Sequence, residues 1–145
     1  MGARRGLGVI LVVDASVAAH RLLRLARAEE ADRLLGHGQN HLIAPDLVVA
    51  EIASVIWKLW KFEGLDESLA HEMLAMAPSG FDELVPCSAL TERALSIAIA
   101  LGHSVYDCFY VALAEQREAK LVSFDERLRR VCLPTCYASL FLPTT

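Results

Sequence analysis

Residues 7–17 read LGVILVVDASV, and this stretch decides the fold. Positions 7–13 are apolar without alternation, the pattern of a strand buried on both faces rather than one wetted at every second residue. Asp14 ends the run. A helical pattern starts at once and is expected over residues 15–28, with Val17, Leu22 and Leu25 among its apolar positions. A buried strand that passes directly into a helix is the first half of a parallel-sheet unit.

The rest of the chain repeats this alternation. A second short helix is predicted over 29–35, closed by Gly36 and Gly38, then a short strand over 41–44. Pro45 and Asp46 open a helix to about residue 62, with Val48, Ile52, Val55, Ile56 and Leu59 as its buried stripe and Gly64 beyond its end. Asp66 is expected to cap another helix that ends before Pro78, followed by a strand over 82–85, a helix over 88–101 stopped by Gly102, and a helix over 105–118 capped by Ser104. A strand over 120–124 and a short helix over 125–130 follow, and the tail reads either as a last edge strand over 136–142 or as part of a partner contact. The class is α/β, with a central, mostly parallel sheet flanked by helices in three layers. No repeat, linker or low-complexity segment divides residues 1–145, which read as a single domain.

Composition narrows the function. Hydrophobic residues make up 54% of the chain and charged residues 22%, which excludes disordered and fibrous classes. Lys and Arg number 14 against 18 Asp and Glu, a net charge of −4, so no basic coat for nucleic acid surrounds the whole molecule. Cations do cluster locally, Arg21, Arg24 and Arg27 in one stretch and Arg127, Arg129 and Arg130 in another, and Arg21, Arg24, Arg27 and Lys58 read either as a nucleic-acid path or as a solvated face. Cys87, Cys108, Cys132 and Cys136 read as reduced thiols, since the CxxxC spacing of the last two has no matching second pair for zinc. Arg4 and Arg5 precede an apolar stretch that stops too soon for an export leader, and no apolar run reaches the roughly 18 residues of a membrane span. A soluble, cytoplasmic protein with no membrane partner is expected. The chain lacks GxxxxGK[ST], GxGxxG and GxSxG, so nucleotide-dependent phosphoryl transfer, dinucleotide chemistry and esterase chemistry lose their usual motifs.

Four acids stand in informative places. Asp14 and Asp125 each follow a strand, and the carboxyl edge of a parallel sheet is where ligands bind. Glu51, three residues after Val48 and four before Val55, lies beside an apolar stripe, where a lone carboxylate pays desolvation unless it is paired or holds a cation. Asp107 is similar, with Val111 and Ala114 on its face. Each also has a structural reading. Asp14 and Asp125 can be helix N-caps, Asp107 a favourable first-turn acid three residues after Ser104, and Glu51 an arginine partner. Four converging carboxylates would repel one another, and a divalent cation resolves that repulsion. Oxygen ligands favour Mg²⁺ or Mn²⁺ over zinc, and such a centre suits phosphodiester hydrolysis.

VVDASV at 12–17, LVVAEIASVIWK at 47–58, SVYDCFYVALA at 104–114 and LVSFDERL at 121–128, in this order, resemble the PIN-domain ribonucleases, and most closely the VapC-like toxins of toxin–antitoxin pairs. The resemblance spans roughly residues 8–130. It implies that Asp14, Glu51, Asp107 and the more variable Asp125 gather Mg²⁺ or Mn²⁺, with Ser16 and Ser123 in support. It also implies endonucleolytic hydrolysis of RNA, a homodimer, and a cognate antitoxin that covers the acidic site. Trp57, Trp60 and Phe62, crowding the far end of the helix over 46–62, are then either interface anchors or core. The segment after DASV, AHRLLRLA, departs from the Lys-Trp that many relatives carry. His103, four residues before Asp107, reads as a loop histidine or a phosphate contact. The same four acids would serve an RNA-processing nuclease without an antitoxin, and a catalytically inactive binding protein on this fold is the remaining alternative.

Overall fold

The computed structural model describes residues 8–144. Arg4, Arg5 and the start of the first expected strand lie outside them. Four short strands, β1 (Ile10–Val13), β2 (His41–Pro45), β3 (Glu83–Val85) and β4 (Lys120–Val122), form one sheet in the order β3-β2-β1-β4. Every pairing is parallel, with Val12 opposite Ile43 on one side and Leu121 on the other. Leu11, Val12 and Val13 are all at most 1% exposed. Three consecutive buried residues require cover on both faces, as the unbroken apolar run predicts.

That cover is helical. α1 (Ala15–Leu22) packs on α2 (Ala28–Leu35) and on α3 (Leu47–Glu63), and α3 packs on α4 (Glu67–Met76). α6 (Val105–Arg117) lies across β1, β2 and β4, with α5 (Thr91–Leu101) packed on it and α7 (Glu126–Cys132) following β4. Residues Cys108 to Ala114 of α6 are buried without interruption, so this helix runs through the core. Gly64 and Gly102 end α3 and α5 in the left-handed region, at φ 76° and 64°, where a side chain is strained. Among the described residues no single helix is long and apolar enough to cross a membrane. All four cysteines are free thiols.

Several boundaries differ from the sequence expectation. The helix expected over 15–28 is shorter: α1 stops at Leu22, residues 23–27 form a turn in which Arg24 takes a left-handed φ of 52°, and α2 corresponds to the second expected helix. The break is held by contacts made across it. His20 Nδ1 accepts the backbone N–H of Arg27 at 3.0 Å, and the Arg27 guanidinium lies 3.6 Å from the centre of the Phe124 ring. Cys87–Ala89 form a 3₁₀ turn ahead of α5, and Ser123 and Phe124 have left the strand for the loop after β4. The expected last strand is instead a 3₁₀ turn over Cys136–Leu140, after which Phe141 makes a single parallel bridge to Leu121.

Candidate active site

The carboxyl edge of the sheet is built from two strand-to-helix turns of the same design. In the first, Asp14 leaves β1 and its backbone N–H reaches across to the carbonyl of Val122 at 3.2 Å. Its Oδ1 accepts the N–H groups of Ser16 and Val17 at 3.0 and 3.3 Å, capping α1, and also accepts the Ser16 hydroxyl. In the second, Asp125 leaves β4 and caps α7, its Oδ1 accepting from Arg127 and Leu128 at 3.0 and 3.1 Å. The serines lock the turns together. Ser16 Oγ accepts the N–H of Phe124 at 3.0 Å, and Ser123 Oγ accepts that of Asp125 at 2.9 Å. The fully buried Ser123 hydroxyl also hydrogen-bonds Asp14. The expected N-caps are present at both acids, each made through Oδ1.

Helices bring the remaining two acids. Glu51, on the second turn of α3, is half-buried, and its Oε1 accepts the hydroxyl of Tyr110, itself 2% exposed on α6. Asp107, in the first turn of α6, meets His103 Nε2 through Oδ2 at 2.8 Å. Asp14, Glu51, Asp107 and Asp125 thus line one cavity of about 170 Å³, together with Ser16 and Tyr110.

The electrostatics follow from this placement. Burial pushes the Asp14 carboxyl up to about 6, with the nearby Asp125 adding to the rise and the bonds from Ser123, Ser16 and Val17 opposing it. Glu51 is raised mainly by burial, with the charges of Asp107 and Asp14 adding, against the Tyr110 hydrogen bond. Burial and the facing Glu51 push the Tyr110 phenol far above its ordinary range, so it stays a proton donor to that carboxylate. The donor set suits a hard divalent cation: carboxylates only, with one oxygen each of Glu51, Asp107 and Asp125 left without a hydrogen bond among the described residues. Among those residues, however, no three His, Cys, Asp or Glu side chains stand close enough to enclose a cation as placed. The acids share a cavity, not a closed coordination shell.

Tyr110 is a site residue that the sequence reading does not single out. A tyrosine three residues after Asp107 on a buried helix face needs an acceptor, and that was the available signal. His103 pairs with Asp107 rather than standing in the loop unengaged. Ser104 precedes α6 but makes no side-chain cap hydrogen bond, so the expected cap is absent. Of the arginines read as a path, Arg21 and Arg24 face Asp32 and Arg27 grips Glu30 through two bonds of 2.8 and 2.9 Å. Trp57 and Trp60 are 52% and 46% exposed, which excludes the core reading. With Ile56 and Leu74 they line a largely apolar groove of about 380 Å³ between α3 and α4.

Comparison with known proteins agrees with this architecture. The pattern of the PIN domain family matches residues 11–133. Ribonuclease VapC3 of Pyrobaculum aerophilum is 36% identical over 120 residues, covering 81% of this chain and 91% of that protein. Among solved structures, a protein from Pyrobaculum aerophilum superposes with a TM-score of 0.64 at 23% identity, over 90% of this chain and 82% of that one. VapBC2 of Rickettsia felis, bound to a DNA fragment from its promoter, gives 0.57 at 14% identity, over 83% of this chain and 92% of that one. These two likenesses bear on the fold alone.

Proposed function

The chain belongs to the PIN-domain family and is homologous to the VapC ribonucleases, and from that premise we propose that it is a Mg²⁺- or Mn²⁺-dependent endoribonuclease, the toxin of a toxin–antitoxin pair. The observation that carries this reading is the cavity itself: four acids, delivered by two strand ends and two helices, face one space at the carboxyl edge of the sheet. Asp14, Glu51, Asp107 and Asp125 are the metal-holding and catalytic residues. A bound divalent ion would polarise a phosphoryl oxygen and lower the pKa of water. The chain's own groups set the stage for this. Ser16 and Ser123 fix Asp14 and join the two turns. Tyr110 orients Glu51 and keeps its proton while doing so. His103 fixes Asp107. The raised Asp14 and Glu51 are carboxylates whose charge is poorly compensated by the protein, which is the electrostatic setting that favours a cation.

The partners follow the same reading. The half-exposed tryptophans over the α3–α4 groove give the cognate antitoxin an aromatic, apolar seat on the helix that carries Glu51. Leu95 and Ile99 on α5, 51% and 73% exposed, offer apolar surface to a second copy in a homodimer.

The test is cleavage of total RNA by purified protein freed of any partner, with Mg²⁺, with Mn²⁺ and with EDTA, beside Asp107→Asn. Discrete fragments that require the metal are expected, and Asp107→Asn should lose roughly 100-fold or more, since even groups that merely orient a ligand are worth 10- to 100-fold. An Asp107→Asn protein that cuts as fast as wild type would remove Asp107 from the site.

A further inference from the structure

We propose that a single RNA strand crosses the acidic cavity in a trough whose two ends are marked by Lys58 and Arg127, each holding a phosphate on one side of the scissile one. This rests on the nuclease reading above and adds the path of the substrate.

Two further cavities adjoin the acidic one. A space of about 240 Å³ shares Ser16 and Glu51 with it and carries Ser54 and Lys58 on α3. A space of about 160 Å³ shares Asp107 and Asp125 with it and carries Ser104 and Arg127. The flanks share no residue with each other, so the acids lie between them. Each flank carries one exposed Lys or Arg and one exposed hydroxyl, and the Arg127 flank also holds His103, which is paired with Asp107. The hydroxyl of Ser104 is available because it does not cap α6.

The other cations are engaged or elsewhere. Arg21, Arg24 and Arg27 are held by Asp32 and Glu30, and Arg93 and Arg117 by Glu115 and Glu83. Lys120 and Arg129 donate to backbone carbonyls. Among the described residues Arg33, Lys58, Lys61, Arg127 and Arg130 form no such bond, and of these only Lys58 and Arg127 line a cavity that touches the acids. A chain of net charge −4 with four acids at its site repels a polyanion, so approach depends on cations placed beside the acids. One on each side suits a strand that passes through and is cut internally. The nearly buried Asp14, 6% exposed, demands that a phosphate dip into the cavity, which a flexible single strand does at less cost than a duplex.

The test measures binding of a labelled single-stranded RNA of mixed sequence to Asp107→Asn protein across a salt series, with Lys58→Gln, Arg127→Gln, both together, and Lys61→Gln and Arg130→Gln as controls. Melting temperatures confirm that all fold. Each trough variant should weaken binding and flatten the log Kd against log salt slope by about 0.7, the pair by about twice that, and the controls by nothing. Cleavage by wild type with unchanged slopes in the Lys58 and Arg127 variants would overturn the trough and leave the nuclease reading standing. A change at one position alone overturns a crossing path, as does an equal change in the controls. Wild type that neither binds nor cuts RNA removes the nuclease reading and the trough with it.

Discussion

Asp14 and Asp125 are the same device placed twice. Each is the first acid after a parallel strand, each caps the helix that follows with Oδ1, and each is tied to a serine near it in sequence. Their settings differ because their strands do. β1 has a neighbour on both sides, β2 and β4, so Asp14 ends a central strand and is nearly buried. β4 has β1 on one side and only the single Phe141 bridge on the other, and Asp125 is partly open to solvent. Strand position, rather than local motif, decides how deeply each carboxylate is buried.

The comparison can be broken in three ways. The largest effect is on rate. Asp14→Asn should slow single-turnover cleavage of an RNA oligonucleotide on the order of 1,000-fold, the upper end for one removed charge-stabilising group. Asp125→Asn should cost about 10-fold, because water can replace an open ligand but not a buried one. Equal losses would mean that burial does not rank the two.

Next is stability against pH in metal-free buffer. Folded Asp14 keeps its proton up to about 6, whereas the unfolded chain releases it near 3.8. Between those values the folded state binds more protons, so stability falls as pH rises through the window and stays lower above it. The contribution is up to about 3 kcal/mol. Urea denaturation of wild type and Asp14→Asn at pH 4 and pH 7 should show the variant gaining on wild type by that order at the higher pH. A gap that does not change with pH removes the assignment. Smallest is the cap: Asp125→Ala should lower stability by about 1 kcal/mol and Asp125→Asn by much less, read from the same denaturation curves. A loss at Asp125→Asn as large as at Asp125→Ala would show that charge, not capping, dominates there.

What could be read in advance was whatever is local. The strand–acid–helix turns, the buried stripe around Glu51 and the apolar face of α6 are each contained in a dozen residues, so all four acids stand out by pattern, while Ser16 and Ser123 enter only through the family resemblance. What escaped depends on partners far along the chain. Nothing in RLLRLARAEE marks the break after Leu22, because it is held by the seating of Arg27 on Phe124 and by the His20 ring. The grip of Tyr110 on Glu51 joins residues 59 positions apart. The helix expected to be capped by Ser104 forms without that bond, its first turn holding the His103–Asp107 pair instead. Free and engaged arginines looked alike until the acids that hold them had positions.

The order of the sheet also has a consequence for how the molecule is made. Of the four strands described, β1 leaves the ribosome first, yet one of its two neighbours, β4, leaves last. Asp14 acquires its bond to Val122, and Ser16 its bond to Phe124, only after synthesis has passed those residues, more than a hundred positions later. At roughly 5–20 residues per second, that delay is on the order of ten seconds. Until then Asp14, Glu51 and Asp107 stand without the turn that completes the setting of Asp14, so the carboxyl edge of the sheet is joined only when the last of these strands arrives.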